Sequence, residues 1–296
     1  MTRLLEEDIV HIAGGLHGYD TRLKRMTGVS LRQLACEAAG VDEVAILGVL
    51  DRIRIAAVPV TRGLGLIGGF SGTVASIASH LGFETFVTES CDEAGMAEAM
   101  ERGAKILMFA DDERFVAVTP APAHVSGPDH VVDNSVATAL GFVAGLEFMK
   151  GRLSGEWVLV LGCGPLGLAA ARALMDRGAH VGLCDIQGER AQAALRGLGG
   201  DASHRIRMEV TPTAALRRYA LIFDATNGGP FIEPAHLTPR SMVAAPGMPC
   251  ALTPRAMAMN RDRILHDALE IGTATMAVQA AVRLAKSWET RKAHEE

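Results

Sequence analysis

With 296 residues, 49% of them hydrophobic, the chain is long enough for two ordinary domains with a core each. A formal charge of −5 provides no basic surplus to neutralise a phosphate backbone, so the expected ligand is a small molecule and not a nucleic acid. The five cysteines (Cys36, Cys91, Cys163, Cys184, Cys250) form no CxxC pair or zinc spacing, and no apolar run approaches the roughly 18 residues of a membrane span. These features predict a soluble cytoplasmic protein with reduced thiols, no metal and no membrane contact.

Leu4, Leu5, Ile9, Ile12 and Leu16 recur at helical spacing until Gly14 and Gly15 interrupt, and Ser30 with Gln33 form the capping box of a second helix that Gly40 stops. Residues up to about 45 therefore form a small helical segment that covers a sheet face or serves as a lid over a ligand.

A strand over Ile53 to Val60 leads into a loop with four glycines between Gly63 and Gly69, then a helix through Val74, Ile77, Ala78 and Leu81. The loop permits a backbone that wraps closely around a ligand, and it lacks the Lys-Ser/Thr ending of a P-loop. A strand over Phe83 to Thr88, a helix over Asp92 to Gly103 and a strand over Lys105 to Ala110 complete a β-α-β-α-β pattern, which predicts a parallel sheet. That last strand runs into Asp111 and Asp112, on the carboxyl edge where parallel sheets bind ligands. A solvated turn or an N-cap is the plain alternative for these two acids.

Thr119 to His130 mixes Pro, Gly and polar residues and suits an interdomain connection, with His124 and His130 as surface residues. From Val131 a long helix through Leu140 and Leu146 to about Gly151 bridges two domains.

Trp157 to Asp185 reads as a buried strand, a glycine turn, a helix and a second strand that ends in an acid. Gly162, Gly164 and Gly167 fit G-x-G-x-x-G, in which the glycines allow a tight turn, close backbone approach to a pyrophosphate and close helix–strand packing. Pro165 and Leu166 open the helix, whose free N–H groups face the phosphates. Asp185 lies at the distance at which an acid accepts hydrogen bonds from the adenosine ribose and repels a 2′-phosphate, so NAD is expected over NADP. A helix near Glu189 to Arg196 follows, then strands over Arg205 to Glu209, Tyr219 to Asp224, Met242 to Ala245 and Ile264 to Asp267, and an alanine-rich helix from Ile271 to Ala285. Ala225, Thr226 and Asn227, directly after one strand, are placed near the nicotinamide end, with a turn without ligand contact as the alternative.

The predicted fold is α/β: a C-terminal Rossmann dinucleotide-binding domain, an N-terminal helical segment and a small parallel α/β domain, joined by a long helix. The expected boundaries are 1–130 for the substrate domain, 131–151 for the linking helix, 152–275 for the Rossmann domain and 276–296 for a helix that packs back on the N-terminal domain.

The stretches LKRMTGVSL, VPVTRGLGLIGGFS, HLGFETFVTE, ILMFADDERF, Asp133-Asn134, VLVLGCGPLG, FDATN, APGMPCALT and IGTATM, in this order, resemble the pyrrolysine-forming dehydrogenase family, PylD. This resemblance implies NAD-dependent oxidation of the terminal amine of 3-methylornithyl-N6-lysine, a dipeptide-like substrate, with ammonia loss and ring closure to pyrrolysine. It also implies a substrate pocket formed by Leu4, Phe70 with the glycine loop, Asp111, Asn134 and Asp267.

Two positions depart from that pattern: Arg62 stands where the family carries Ser, and Asp267 where it carries Glu. Arg62 either pairs with a substrate carboxylate through its planar fork or narrows the pocket. Amine oxidation needs a deprotonated nitrogen and negative charge near the growing iminium, so Asp111 is expected to hold the amine, Asp267 to hold a second amino group and Asn134 to orient the substrate. The alternatives are an NAD-dependent dehydrogenase of another amino acid or imine, one resembling the methylenetetrahydrofolate dehydrogenases among them, and a non-catalytic dinucleotide sensor. A homodimer is left open.

Overall fold

The computed structural model describes residues 4–62, 65–111, 114–120, 130–199 and 204–295, with side chains as far as 289. Gly63, Asp112 and His124 lie outside the described residues. Among the described residues no helix is long and apolar enough to cross a membrane.

The chain opens on a short helix α1 (Glu6–Ile9) followed by α2 (Ile12–Thr27). The expected break at Gly14 and Gly15 does not occur. Ile12, Leu16, Tyr19 and Leu23 fall on one buried face of α2, whereas Gly14, Gly15 and Gly18 lie on its exposed face. Burial of the apolar stripe outweighs a propensity cost of about 1 kcal/mol per glycine. In α3 (Leu31–Ala38) the capping box forms as predicted: Ser30 Oγ accepts from the Gln33 N–H, and Gln33 Oε1 accepts from the Ser30 N–H. A short α4 (Glu43–Leu47) completes the N-terminal helices.

The first sheet contains β1 (Arg54–Ala57), β2 (Glu84–Val87), β3 (Ile106–Ala110), β4 (Phe115–Val118) and β5 (Val131–Asp133), with α5 (Phe70–His80) and α6 (Asp92–Glu101) between the first three strands. Its order is β2-β1-β3-β4-β5. The first three strands are parallel, as predicted, but β4 and β5 are antiparallel additions, so the sheet is mixed. β4 pairs with β5, so the strands on either side of the expected interdomain connection belong to one sheet. The Thr119 N–H donates to the His130 carbonyl at its two ends.

Val131, Val132 and Asp133 form β5, so the long helix α7 (Asn134–Lys150) starts three residues later than expected, with the Asp133 carboxylate capping the Ser135 N–H. Eight residues of α7 are buried, which explains its apolar character on every side.

The second sheet contains β6 (Trp157–Leu161), β7 (His180–Cys184), β8 (Ile206–Met208), β9 (Leu221–Asp224), β10 (Met242–Ala244) and β11 (Ile264–Leu265), all parallel, in the order β11-β10-β9-β6-β7-β8. This is the doubly wound order whose direction reverses between β6 and β9, where ligands bind beyond the strand ends. The accompanying helices are α8 (Pro165–Asp176), α9 (Gly188–Gly197), α10 (Pro212–Leu216) and α11 (Pro254–Met259). A final helix, α12 (Glu270–Glu295), packs against α3, α5 and α7.

The α7–α12 contact depends on missing side chains. A Cβ on Gly141 would run into Ile271 and the Thr275 hydroxyl, and one on Gly272 into the Thr138 hydroxyl. One hydrophobic cluster extends from Ile9 through both sheets to Ala281.

Candidate functional site

The glycine turn follows β6 at the point where the strand order reverses. Gly162 adopts φ +84°, and a Cβ there would lie 2.9 Å from the Ala225 carbonyl oxygen, so this turn passes the neighbouring loop at a distance only glycine allows. A Cβ on Gly167 would collide with the Gly162 carbonyl, which makes Gly167 the residue that seats α8 against β6. Gly164 differs from both: no protein atom lies within 4 Å of a Cβ built on it, and it faces the cleft. Its missing side chain leaves room for something other than protein. Pro165 is the first residue of α8, so the free N–H groups of that helix end point the same way. This cradle fits a diphosphate.

Asp185 closes β7 beside it. One of its carboxylate oxygens accepts from the Cys163 N–H at 2.7 Å and the other from the Gln187 N–H at 2.8 Å. Burial, and then the charge of Asp185, pushes the Cys163 thiol up to about 12, so that thiol stays protonated.

Ala225, Thr226 and Asn227 follow β9 and line the same cleft. Sequence reasoning overlooked what holds them there. The fully buried Asp224 accepts from both the N–H and the hydroxyl of Thr226 and from the Ala251 N–H, which ties the loop after β9 to the loop after β10. Burial raises the pKa of this carboxyl, and its three donors oppose the shift.

The cleft occupies about 620 Å³ between the carboxyl edges of the two sheets. Gly162, Gly164, Pro165, Leu166, Asp185, Ala225, Thr226 and Asn227 line one half. Leu4, Arg62, Phe70, Asp111, Asn134 and Asp267 line the other, so every expected site residue except the internally packed Gly167 borders one space. Leu4 does so from just before α1 and not from within a helix, and Phe70 stacks edge-on against Phe115 at 5.2 Å between centroids.

The polar side chains of this half are held in different ways. Asp111 is exposed at the end of β3, and its Oδ1 accepts from the Arg114 N–H at 2.6 Å. Asn134 Oδ1 accepts from the Thr138 hydroxyl at 3.1 Å and lies over the space that Gly272 leaves open. Asp267 is 8% exposed and accepts from the Tyr19 hydroxyl at 2.7 Å.

Arg62 borders the mouth, where its exposed guanidinium pairs with the exposed Glu93. The neighbouring Thr61 is clamped by Asp92 through both its N–H and its hydroxyl. Thr61, Tyr19 and Glu270, the last of these just before the IGTA run, had no sequence signal beyond their residue type.

Comparisons with known proteins agree with this architecture. Residues 8–126 match the family model described as the N-terminal domain of the pyrrolysine biosynthesis protein PylD. The pyrrolysine synthase of Methanosarcina acetivorans is 28% identical over 279 residues, 93% of this chain and 98% of that one. The pyrrolysine synthase of Methanosarcina barkeri is 27% identical over the same length, covering 97% of its own chain. In fold, the chain is similar to a quinate dehydrogenase from Corynebacterium glutamicum solved with NAD, with a TM-score of 0.52 and 16% identity over 79% of this chain and 94% of that one. Residues 8–126 thus resemble the PylD N-terminal domain, and 93% of the chain is similar to the two pyrrolysine synthases.

Proposed function

We propose that the cleft oxidises the terminal amine of 3-methylornithyl-N6-lysine with NAD as acceptor, and that the oxidised substrate closes to pyrrolysine with loss of ammonia. One observation carries this reading: a diphosphate cradle and two carboxylates, Asp111 and Asp267, border the same cleft. The coarser conclusion, a dinucleotide-dependent oxidoreductase acting on a small molecule, is supported by the cradle and by the pyrrolysine synthase relatives together. The preference for NAD rests on Asp185, whose charge lies at the end of β7 where a 2′-phosphate would have to sit.

Bound nicotinamide supplies the two-electron acceptor, and the chain supplies position and charge. Asp111 holds the amine and favours the cation that grows on the neighbouring carbon as its hydrogen leaves with two electrons. The ornithine α-amine, as the free base, then adds to that carbon; a proton passes from it to the original nitrogen, which departs as ammonia, and loss of the remaining proton leaves a five-membered imine. Asn134 orients the substrate, Asp267 holds another of its amino groups that takes no part in ring closure, and Leu4, Phe70 and Phe115 exclude water from the apolar wall. Arg62 can meet a carboxylate at the mouth by exchanging Glu93 for it.

The test is incubation with NAD and the lysine–ornithine amide, following NADH absorbance and the mass of the product. Ring closure with ammonia loss supports the reading. NADH formed only with other amines would make the protein a dehydrogenase of a different substrate, and no NADH with any amine would leave a dinucleotide sensor.

A further inference from the structure

Behind the substrate wall, α12 begins on two carboxyls three residues apart. Asp267 precedes the helix and lines the cleft, whereas Glu270 is its first residue and does not. Both are nearly sealed, 8% and 7% exposed. The free amides and positive end of the helix stabilise roughly one negative charge here: Ile271 N–H donates to Asp267 Oδ1 at 3.3 Å and Leu269 N–H to Glu270 Oε2 at 3.1 Å. Tyr19 of α2, 248 residues away in sequence, donates its hydroxyl to Asp267 Oδ2 at 2.7 Å. From the packed elements, His11 faces Glu270 and Arg22 lies over the Tyr19 ring, 5.2 Å from its centroid.

Two carboxylates this close and this dry do not both ionise near neutrality. Asp267 gathers two donors from other residues and takes the charge, while Glu270 keeps a proton. We propose that Tyr19 and Glu270 are positioning residues that present Asp267 to the cleft as a single fixed negative charge for one primary ammonium of the substrate. The proposal rests on the amine-oxidation reading above, and it assigns the two residues that fix the charge state and position of Asp267. The titration of the pair agrees, since burial raises both, Asp267 to about 6 and Glu270 to about 7, the latter pushed further by the charge of Asp267.

The experiment has two arms, a carboxyl-carbon NMR titration of the protein without ligands and the pH profile of kcat/KM with NAD and the lysine–ornithine amide. In the first, the wild type shows two coupled steps and Glu270→Gln only one. In the second, Tyr19→Phe moves the acid limb up by about one pH unit and raises KM more than it lowers kcat. Independent, ordinary carboxyl titrations in the wild type, or superimposable profiles for wild type and Tyr19→Phe, overturn the proposal. If no amine is oxidised by any form, the functional reading falls, and the NMR arm still decides whether the pair shares a proton. Glu270→Gln, nearly isosteric, serves if Tyr19→Phe does not fold.

Discussion

The carboxylate of Asp185 accepts a 2.7 Å hydrogen bond from the backbone N–H of Cys163, the residue between the first two glycines of the turn. The acid expected to bind ribose is thus also a strut of the phosphate loop. Asp185→Ala should weaken NADH binding about 10- to 100-fold, because loop support and ligand contact are lost together. Asp185→Asn keeps an acceptor for Cys163 and removes the charge, so its preference should shift toward NADPH. Fluorescence titration with both nucleotides checks this; unchanged NADH affinity in Asp185→Ala removes the residue from the site.

Two glycines of one motif should fail in different ways. Gly164→Ala meets no protein atom and should melt like the wild type yet lose most dinucleotide binding. Gly167→Ala places a methyl against the Gly162 carbonyl and should cost about 1–3 kcal/mol of stability. Thermal melts beside NADH titrations separate the two. A Gly164→Ala protein with full affinity would show that the open space is not the ligand's.

Asp111→Asn retains Oδ1 as acceptor for the Arg114 N–H, so the turn after β3 should persist while the charge disappears. Turnover should fall at least about 100-fold with NADH affinity nearly constant. Steady-state rates with the lysine–ornithine amide give the answer, and an ordinary kcat removes Asp111 from the mechanism.

At the α7–α12 seam, a methyl on Gly272 would displace the Thr138 hydroxyl and come within 2.9 Å of Asn134 Oδ1. Gly272→Ala should therefore raise KM several-fold by moving Asn134, with little change in NADH binding. Equal KM values in the two proteins would mean that Asn134 does not touch the substrate.

Glu270 imposes a pH dependence of known sign. Burial and the Asp267 charge raise it from 4.5 to about 7, so the stability it contributes is fully present below about pH 4.5 and is lost as pH rises through about 7. Glu270→Gln should therefore gain melting temperature over the wild type at pH 8 and gain none at pH 4. A constant difference across that range would show that Glu270 does not titrate between them.

The parts of this protein that could be read from its sequence are those written in neighbouring residues. The turn from Gly162 to Gly167, the acid closing β7 and the Ser30–Gln33 box each lie within a few residues of what they act on. β4, β5, α10 and α11 are too short to establish a period, and the glycines of α2 mislead because the packing that overrides them comes from distant residues. Asp224 looks in sequence like any strand-end acid; only burial beneath two loops shows its work. Tyr19 and Asp267, separated by most of the chain, meet only after α2 and α12 have packed into one body.

The hydrophobic cluster that runs from Ile9 to Ala281 also constrains assembly. Residues after 270 form the flank against α3, α5 and α7, and they follow Asp267 directly. A nascent polypeptide that has completed the first sheet still lacks one side of its interior, so the part of the cleft lined by Asp267 must wait for the same late docking event. Cutting the chain between the sheets should thus yield two sticky fragments and not two soluble modules.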